Sequence, residues 1–186
     1  MAAPFPALTG FYKLLFLYIE PALTIIPAFI IGFYPGAVWF HNELALGSKP
    51  ILNLEPGARM AFWQLASCYG LIGMISSLVL RTARDAIKHD PVFMSLVKCV
   101  SGSELEQAAQ ERVVGSLLVA LAIADLIHIA VTVLATPIEI LTNPSVWNGA
   151  FIGNVPFTLF LFASRFAWFQ GLGRKAYYYS VKVKTQ

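Results

Sequence analysis

Leu117–Thr132 reads LLVALAIADLIHIAVT. With its flanks, Arg112–Leu134, it forms an apolar run long enough to cross a hydrocarbon layer of about 30 Å at about 1.5 Å per residue. One acid and one imidazole lie near its middle, Asp125 and His128. Their i, i+3 spacing puts both on one helix face. A carboxyl group at the centre of a bilayer costs about 2.5–3.5 kcal/mol on insertion scales, so such residues turn toward the bundle interior and either pair or act. This face has two readings. It is a polar clasp to another helix, or it is an acid held in a dry pocket.

The rest of the chain agrees with the membrane reading. Of 186 residues, 58% are hydrophobic and 12% charged, and mean hydropathy is +0.68. The usual charged share is about 25%, so this is the composition of an integral membrane protein. One domain, residues 1–186, accommodates the length. Cys68 and Cys99 form no disulfide or metal framework and read as isolated buried thiols. The N-terminus, MAAPFPALTG, lacks a basic stretch leading to a cleavage site, so the first apolar run is expected to be kept as a span. The net charge of +3 is too small to suggest a nucleic-acid partner. No phosphate-binding glycine loop, nucleophile elbow or dinucleotide fingerprint appears, so no cofactor is expected.

The expected fold is all-α: a four-transmembrane-helix bundle with spans at about 12–33, 61–80, 112–134 and 149–169 and a basic tail at 171–186. Pro21 and Pro27 interrupt the first span, and Glu20 precedes Pro21. Glu20 reads either as an acid beside a kink or as an interfacial residue snorkelling to the headgroups. Residues 34–60 read as a loop with Trp39 and Phe40 as interface anchors and with His41, Asn42 and Glu43 solvated. Ser67, Gly70, Gly73 and Ser77 recur at three- and four-residue steps in the second span and permit a close helix contact. In the polar connection at 83–112, Pro91–Val100 is amphipathic, and Ser103 with Glu106 matches a capping box that starts a helix near Glu104. Residues 136–148 read as a short loop holding Glu139, Trp147 and Asn148, and Gly149 and Gly153 form a GxxxG step.

Basic residues set the expected orientation. Lys13, Arg81, Arg84, Lys88, Lys98, Arg112, Arg174, Lys175, Lys182 and Lys184 fall on one side of a four-span chain, against Lys49 and Arg59 on the other. The rule that cytoplasmic loops are rich in Lys and Arg then puts both termini in the cytosol. The final Lys182-Val183-Lys184-Thr185-Gln186 matches a KxKxx dilysine signal, which directs the protein to the endoplasmic reticulum.

The intramembrane ionisable set is Glu20, Asp125, His128, Glu139 and Arg165, with amides at Asn148 and Asn154. The halves show no repeat of the kind transporters carry, since Glu20-Pro21 has no counterpart in the third span. No polar stripe suggests a proton pore, and no second ligand pair joins Asp125 and His128 to make a metal site. The set suits carbocation chemistry. A carboxyl removed from water disfavours its charged form and so can hold a proton for delivery to an alkene or epoxide. Aromatic faces attract the resulting cations, and fourteen Phe, seven Tyr and four Trp are available.

The motifs FYKLLFLYIEP, AIADLIH, NPSVWN, GNVPFT and SRF resemble a small fungal integral-membrane family, mostly of unknown function. It is similar to the macrophorin-type membrane-bound type II terpene cyclases of meroterpenoid biosynthesis. The resemblance covers all four spans. It implies an enzyme, with acid-initiated cyclisation of a farnesyl chain carried on an aromatic or quinone-like polyketide, a lipophilic prenylated substrate. The matching positions make Asp125, His128 and Glu20 the candidate catalytic residues, with Trp147, Asn148, Asn154 and Arg165 contacting substrate. Two alternatives remain: a sterol-isomerase-like membrane enzyme, which usually has five spans, and a non-catalytic endoplasmic-reticulum scaffold. An apolar pocket of several hundred Å³ beside Asp125, the ordinary scale of ligand sites, favours the enzymes, and a solid bundle there favours the scaffold.

Overall fold

The computed structural model describes residues 5–85 and 102–178, the side chains of 102–106 excepted. The amphipathic stretch Pro91–Val100, Cys99, the Ser103 and Glu106 side chains and the Lys182/Lys184 signal lie outside the described residues. Everything regular among the described residues is helical. Among the described residues the helices are α1 (Gly10–Gly32), α2 (Ala37–Leu44), α3 (Pro56–Asp85), α4 (Gly102–Ala135), α5 (Ile138–Leu141) and α6 (Gly149–Phe169), with a 3₁₀ turn at Pro144–Val146. Four of them, α1, α3, α4 over Gln107–Ala135, and α6, are long and apolar enough to cross a membrane. That is the make-up of a multi-pass membrane protein.

Hydropathy underestimates the helix lengths, and the reason is physical. An apolar window marks only what fits in hydrocarbon, whereas backbone hydrogen bonding continues into the polar layers. So α3 begins at Pro56, ahead of Arg59, and runs past Arg81 and Arg84 to Asp85. Pro56 suits a first helical position, where its missing N–H has no intrahelical partner to lose.

The connections are more ordered than expected. Residues 34–60 are not a plain loop but carry α2, on which Phe40 is buried rather than an interface anchor, while Trp39 remains exposed. Asn42 is half-buried. Its amide clamps the chain by donating to Ile51 O at 3.0 Å and accepting from Ile51 N at 3.0 Å. Glu43 is half-buried too and receives Asn148 Nδ2 on its carbonyl and its carboxylate, at 2.7 and 3.0 Å. These residues are therefore not solvated: they tie the first long connection to the start of α6. Cys68 is exposed, on the outer face of α3, and not a buried thiol.

The long helices alternate in direction, and two apolar cores form at opposite ends of the bundle. One gathers Phe5, Leu8, Tyr12, Phe16, Leu80, Val114, Leu118, Leu161 and Trp168 where α1 and α4 begin and α3 and α6 end. The other gathers Ile31, Ala37, Phe40, Leu54 and Ala66. The outward faces are equally apolar: Phe29, Leu71, Ile127 and Phe166 are all exposed. A helix apolar all round is one that also has an apolar surrounding, here lipid.

Helices α1 and α3 approach each other closely at Gly73. A Cβ on Gly73 would sit 2.6 Å from Ile25 Cγ1 and 2.7 Å from Thr24 Oγ1. Gly73→Val is expected to force the two helices apart and lower stability by about 1–3 kcal/mol, the usual cost of overpacking. Thermal unfolding in detergent checks this, and an unchanged midpoint would rule out the tight α1–α3 contact.

Candidate functional site: an ion cluster inside the helix bundle

Both α1 and α6 are interrupted by wide π turns next to prolines. In α1 the turn is Leu15–Ile19, closed by Glu20 N–H on Leu15 O, immediately before Pro21. In α6 it is Gly153–Phe157, around Pro156. Proline lacks an N–H and collides with the carbonyl four residues back. A wide turn absorbs the extra residue, and each inserted residue turns the remainder of the helix by roughly 100°. Such turns recur at functional sites. Here one ends at Glu20 and the other contains Asn154.

Helix α4 presents Glu111, Val114, Leu118 and Asp125 to the interior, at steps of three, four and seven residues. Those steps keep one face of a helix turned to its neighbours. His128, one turn further, is half-buried on the same seam.

Arg165 of α6 brings the acids together. Its Nη1 donates to Asp125 Oδ2 at 2.5 Å, and its Nη2 donates to Glu20 Oε1. The three side chains are 1% (Arg165), 6% (Glu20) and 11% (Asp125) exposed. The guanidinium also lies 5.5 Å from the centre of the Phe16 ring. Within this cluster Glu20 Oε2 and Arg165 Nε meet no hydrogen-bond partner among the described residues. Glu20 is thus a buried residue of the site and not a snorkelling interfacial one.

The expected Asp125–His128 partnership is not what holds either residue. Asp125 turns to Arg165, while His128 Nε2 is joined to Asn154 Oδ1 at 3.2 Å. A shared face places two residues side by side, but each side chain reaches outward to whatever α6 offers opposite it. Trp147 and Asn148 serve the loop: Trp147 Nε1 donates to Ile140 O at 2.9 Å, and Asn148 Oδ1 caps α6 by accepting from Phe151 N at 2.9 Å. Glu139 is exposed on α5.

A second buried ion pair closes one end of the bundle and had no counterpart among the expected site residues. Arg174 Nη2 donates to Glu111 Oε1 at 2.8 Å, and Glu111 Oε2 accepts from the backbone N–H of Tyr177 and of Tyr178. Arg174 stacks 3.8 Å from the centre of the Trp168 ring. Tyr12 OH donates to Leu172 O at 2.8 Å, and Trp168 Nε1 donates to Ala7 O at 2.9 Å. The chain after α6 and the chain before α1 therefore fold onto the same end. The signal available in the sequence was the position of Glu111, on the Val114–Leu118–Asp125 face.

An open groove of about 390 Å³ lies elsewhere, between the outer faces of α1 and α3, lined by Ala28, Gly32, Phe33, Trp63, Ala66 and Ser67. None of these residues belongs to the ion cluster. Among the described residues no group of three or more His, Cys, Asp or Glu is placed to hold a metal ion.

Chemically, the cluster offers two carboxyl groups to one guanidinium, away from water and beside an aromatic ring. A family model described as a domain of unknown function, DUF7704, matches residues 5–98 and 92–175, segments that contain Glu20, Asp125 and Arg165. No curated protein matches the chain, and no solved structure matches it. The family match extends over well more than half of the sequence, and the chain belongs to the DUF7704 family.

Proposed function

We propose that this protein is a membrane-embedded, acid-initiated terpene cyclase acting on a prenyl chain from within the bilayer, with the Glu20–Arg165–Asp125 cluster as its acid. The observation that supports this reading is the count inside the bundle: two carboxyls on a single guanidinium. One acid is in excess of the base, and the excess carboxyl is the proton source. As its O–H bond breaks, a C–H bond forms at the terminal alkene carbon, or an O–H bond at an epoxide oxygen. The electron pair of the next double bond closes the ring and moves the positive charge along the chain. The last cation returns a proton to the carboxylate, so the acid is regenerated and the product is an isomer of the substrate. Arg165 holds both carboxyls in position, and the Phe16 ring supplies a face to the cation. His128 and Asn154, further along the α4–α6 seam, face the polar end of the substrate. The farnesyl chain on an aromatic or quinone-like head comes from the likeness to macrophorin-type cyclases.

Co-expression with a supplier of prenylated polyketide tests this directly. The expected outcome is a cyclised product of the same mass as the linear precursor. Recovery of the linear precursor alone, with the protein present in the membrane, would end the proposal.

A second reading, a non-catalytic endoplasmic-reticulum scaffold, has its own observation: Arg165 engages both acids, and the described groove lies on α1 and α3 rather than beside Asp125. The sterol-isomerase-like alternative has no such observation.

Both termini are assigned to the cytosol on the distribution of Lys and Arg. A glycosylation acceptor inserted at Gly47-Ser48 is then expected to be modified, and one appended after Gln186 is not. Changing Lys182 and Lys184 to serine is expected to release the protein from the endoplasmic reticulum, read by fluorescence microscopy. Modification of the C-terminal acceptor would invert the topology and remove the retrieval signal from its reader.

A further inference from the structure

Arg84 and Arg165 meet their carboxylates in different ways. Arg84 makes the full side-on fork with Asp85, Nε to Oδ1 and Nη2 to Oδ2, both at 2.7 Å. Arg165 uses Nη2 on Glu20 Oε1, while its Nε and Glu20 Oε2 meet no partner among the described residues. Nε and Nη2 share one edge of a guanidinium, as the Arg84 fork shows. The unused donor is the nitrogen beside Nη2 on that edge and the unused acceptor is the second oxygen of the carboxyl that Nη2 meets, so both lie next to the Nη2–Oε1 contact. Both residues are buried, Glu20 at 5% exposure and Arg165 at 1%. A buried polar atom without a partner carries a desolvation cost that a native site normally removes.

We propose that this edge of the Arg165–Glu20 pair is a binding site for the hydroxyl group of a lipophilic alcohol. The hydroxyl oxygen accepts from Arg165 Nε–H, and its proton is donated to Glu20 Oε2. A hydroxyl satisfies a donor and an acceptor at once. An ether or epoxide oxygen meets only the donor, and a hydrocarbon meets neither. Lipophilicity follows from the surroundings: the outward faces of α1, α4 and α6 beside the cluster are apolar, with Ile19, Leu126 and Phe166 exposed. Both prenyl alcohols and sterols have this chemistry. The inference rests on the Arg165 cluster being the working site and not on the reaction assigned to it.

The test uses the full chain in phosphatidylcholine bilayer discs and four tritiated probes: farnesol, farnesyl methyl ether, ergosterol and ergosteryl methyl ether. Saturable binding of one alcohol is expected, with its methyl ether weaker by about tenfold or more, the scale of one unmet buried hydrogen bond. Which alcohol binds separates a prenyl ligand from a sterol. Arg165→Lys keeps the charge and removes the Nε donor, so it is expected to bring the alcohol down to the affinity of its ether. Should that variant not fold, the ether comparison on the wild-type protein decides alone. Equal binding of alcohol and ether, or no binding of either alcohol, overturns the proposal. Cyclised product in co-expression together with equal alcohol and ether binding would remove this inference and leave the cyclase reading standing. The reverse pair of results would remove cyclisation and leave the hydroxyl site.

Discussion

Arg165→Met is expected to cost about 3–5 kcal/mol of stability, the range for breaking a buried ion pair by removing one partner. For a chain of this size that is a loss of about 6–20 °C in the unfolding midpoint. The reason is specific to the cluster. Without the guanidinium, Glu20 and Asp125 remain buried between α1, α4 and α6 with no cation between them. The carboxylate that Arg165 balanced is then left buried without a counter-charge, and it has no water to fall back on. The companion experiment replaces all three residues with uncharged ones, Glu20→Gln, Arg165→Met and Asp125→Asn together. Buried ion clusters exchanged for neutral residues of similar volume are often no less stable than the parent. The triple variant is therefore expected to recover most of the loss, measured by the temperature at which detergent-solubilised protein leaves the monodisperse peak. If Arg165→Met alone unfolds at the wild-type temperature, the three side chains are not an ion cluster. The triple variant also separates the two functional readings. A scaffold held by this clasp keeps its role once the fold is restored, whereas an acid catalyst does not.

Asp125→Asn is expected to reduce cyclised product by a factor of about 10²–10⁴, the range of a positioned general acid, while the protein still inserts and folds. Neutralising one acid leaves a one-to-one pair on Arg165, so the three helices remain joined. This is what distinguishes the variant from Arg165→Met: function is lost at nearly unchanged stability. Glu20→Gln is expected to have the smaller effect of the two, because Asp125 has the more exposed side chain, 11% against 6% for Glu20, and so the easier reach to a substrate entering from the bilayer. A larger loss from Glu20→Gln would exchange the roles of the two acids. Product at the wild-type level from Asp125→Asn would take Asp125 out of the chemistry.

Much of the site was legible as a set of residues and not as an arrangement. Glu20, Asp125 and Arg165 all stand out because each interrupts an apolar span, and Arg165 is the sole basic residue among the intramembrane set apart from the imidazole of His128. The sequence reading set Arg165 against substrate and did not place it between the two acids. The i, i+3 adjacency of Asp125 and His128 pointed elsewhere, to a pair within one helix. Glu111 was less visible still. It lies at the polar start of α4, where a glutamate ordinarily meets water, and its burial depends on residues 171–178 folding back over it.

The sequence by itself determined that this is a helical membrane protein with four long apolar helices, since the cost of leaving a backbone unpaired in hydrocarbon is met within each segment, without reference to its neighbours. It also determined which side chains have no business in a bilayer unless paired. Only the tertiary structure decided the pairing. Proline-linked π turns at Leu15–Ile19 and Gly153–Phe157 rotate the later portions of α1 and α6, and the rotation sets which faces meet. Arg165 thus bridges Glu20 and Asp125 and leaves His128 to Asn154. Ion pairing depends on distances between helices, and no spacing within one helix encodes them.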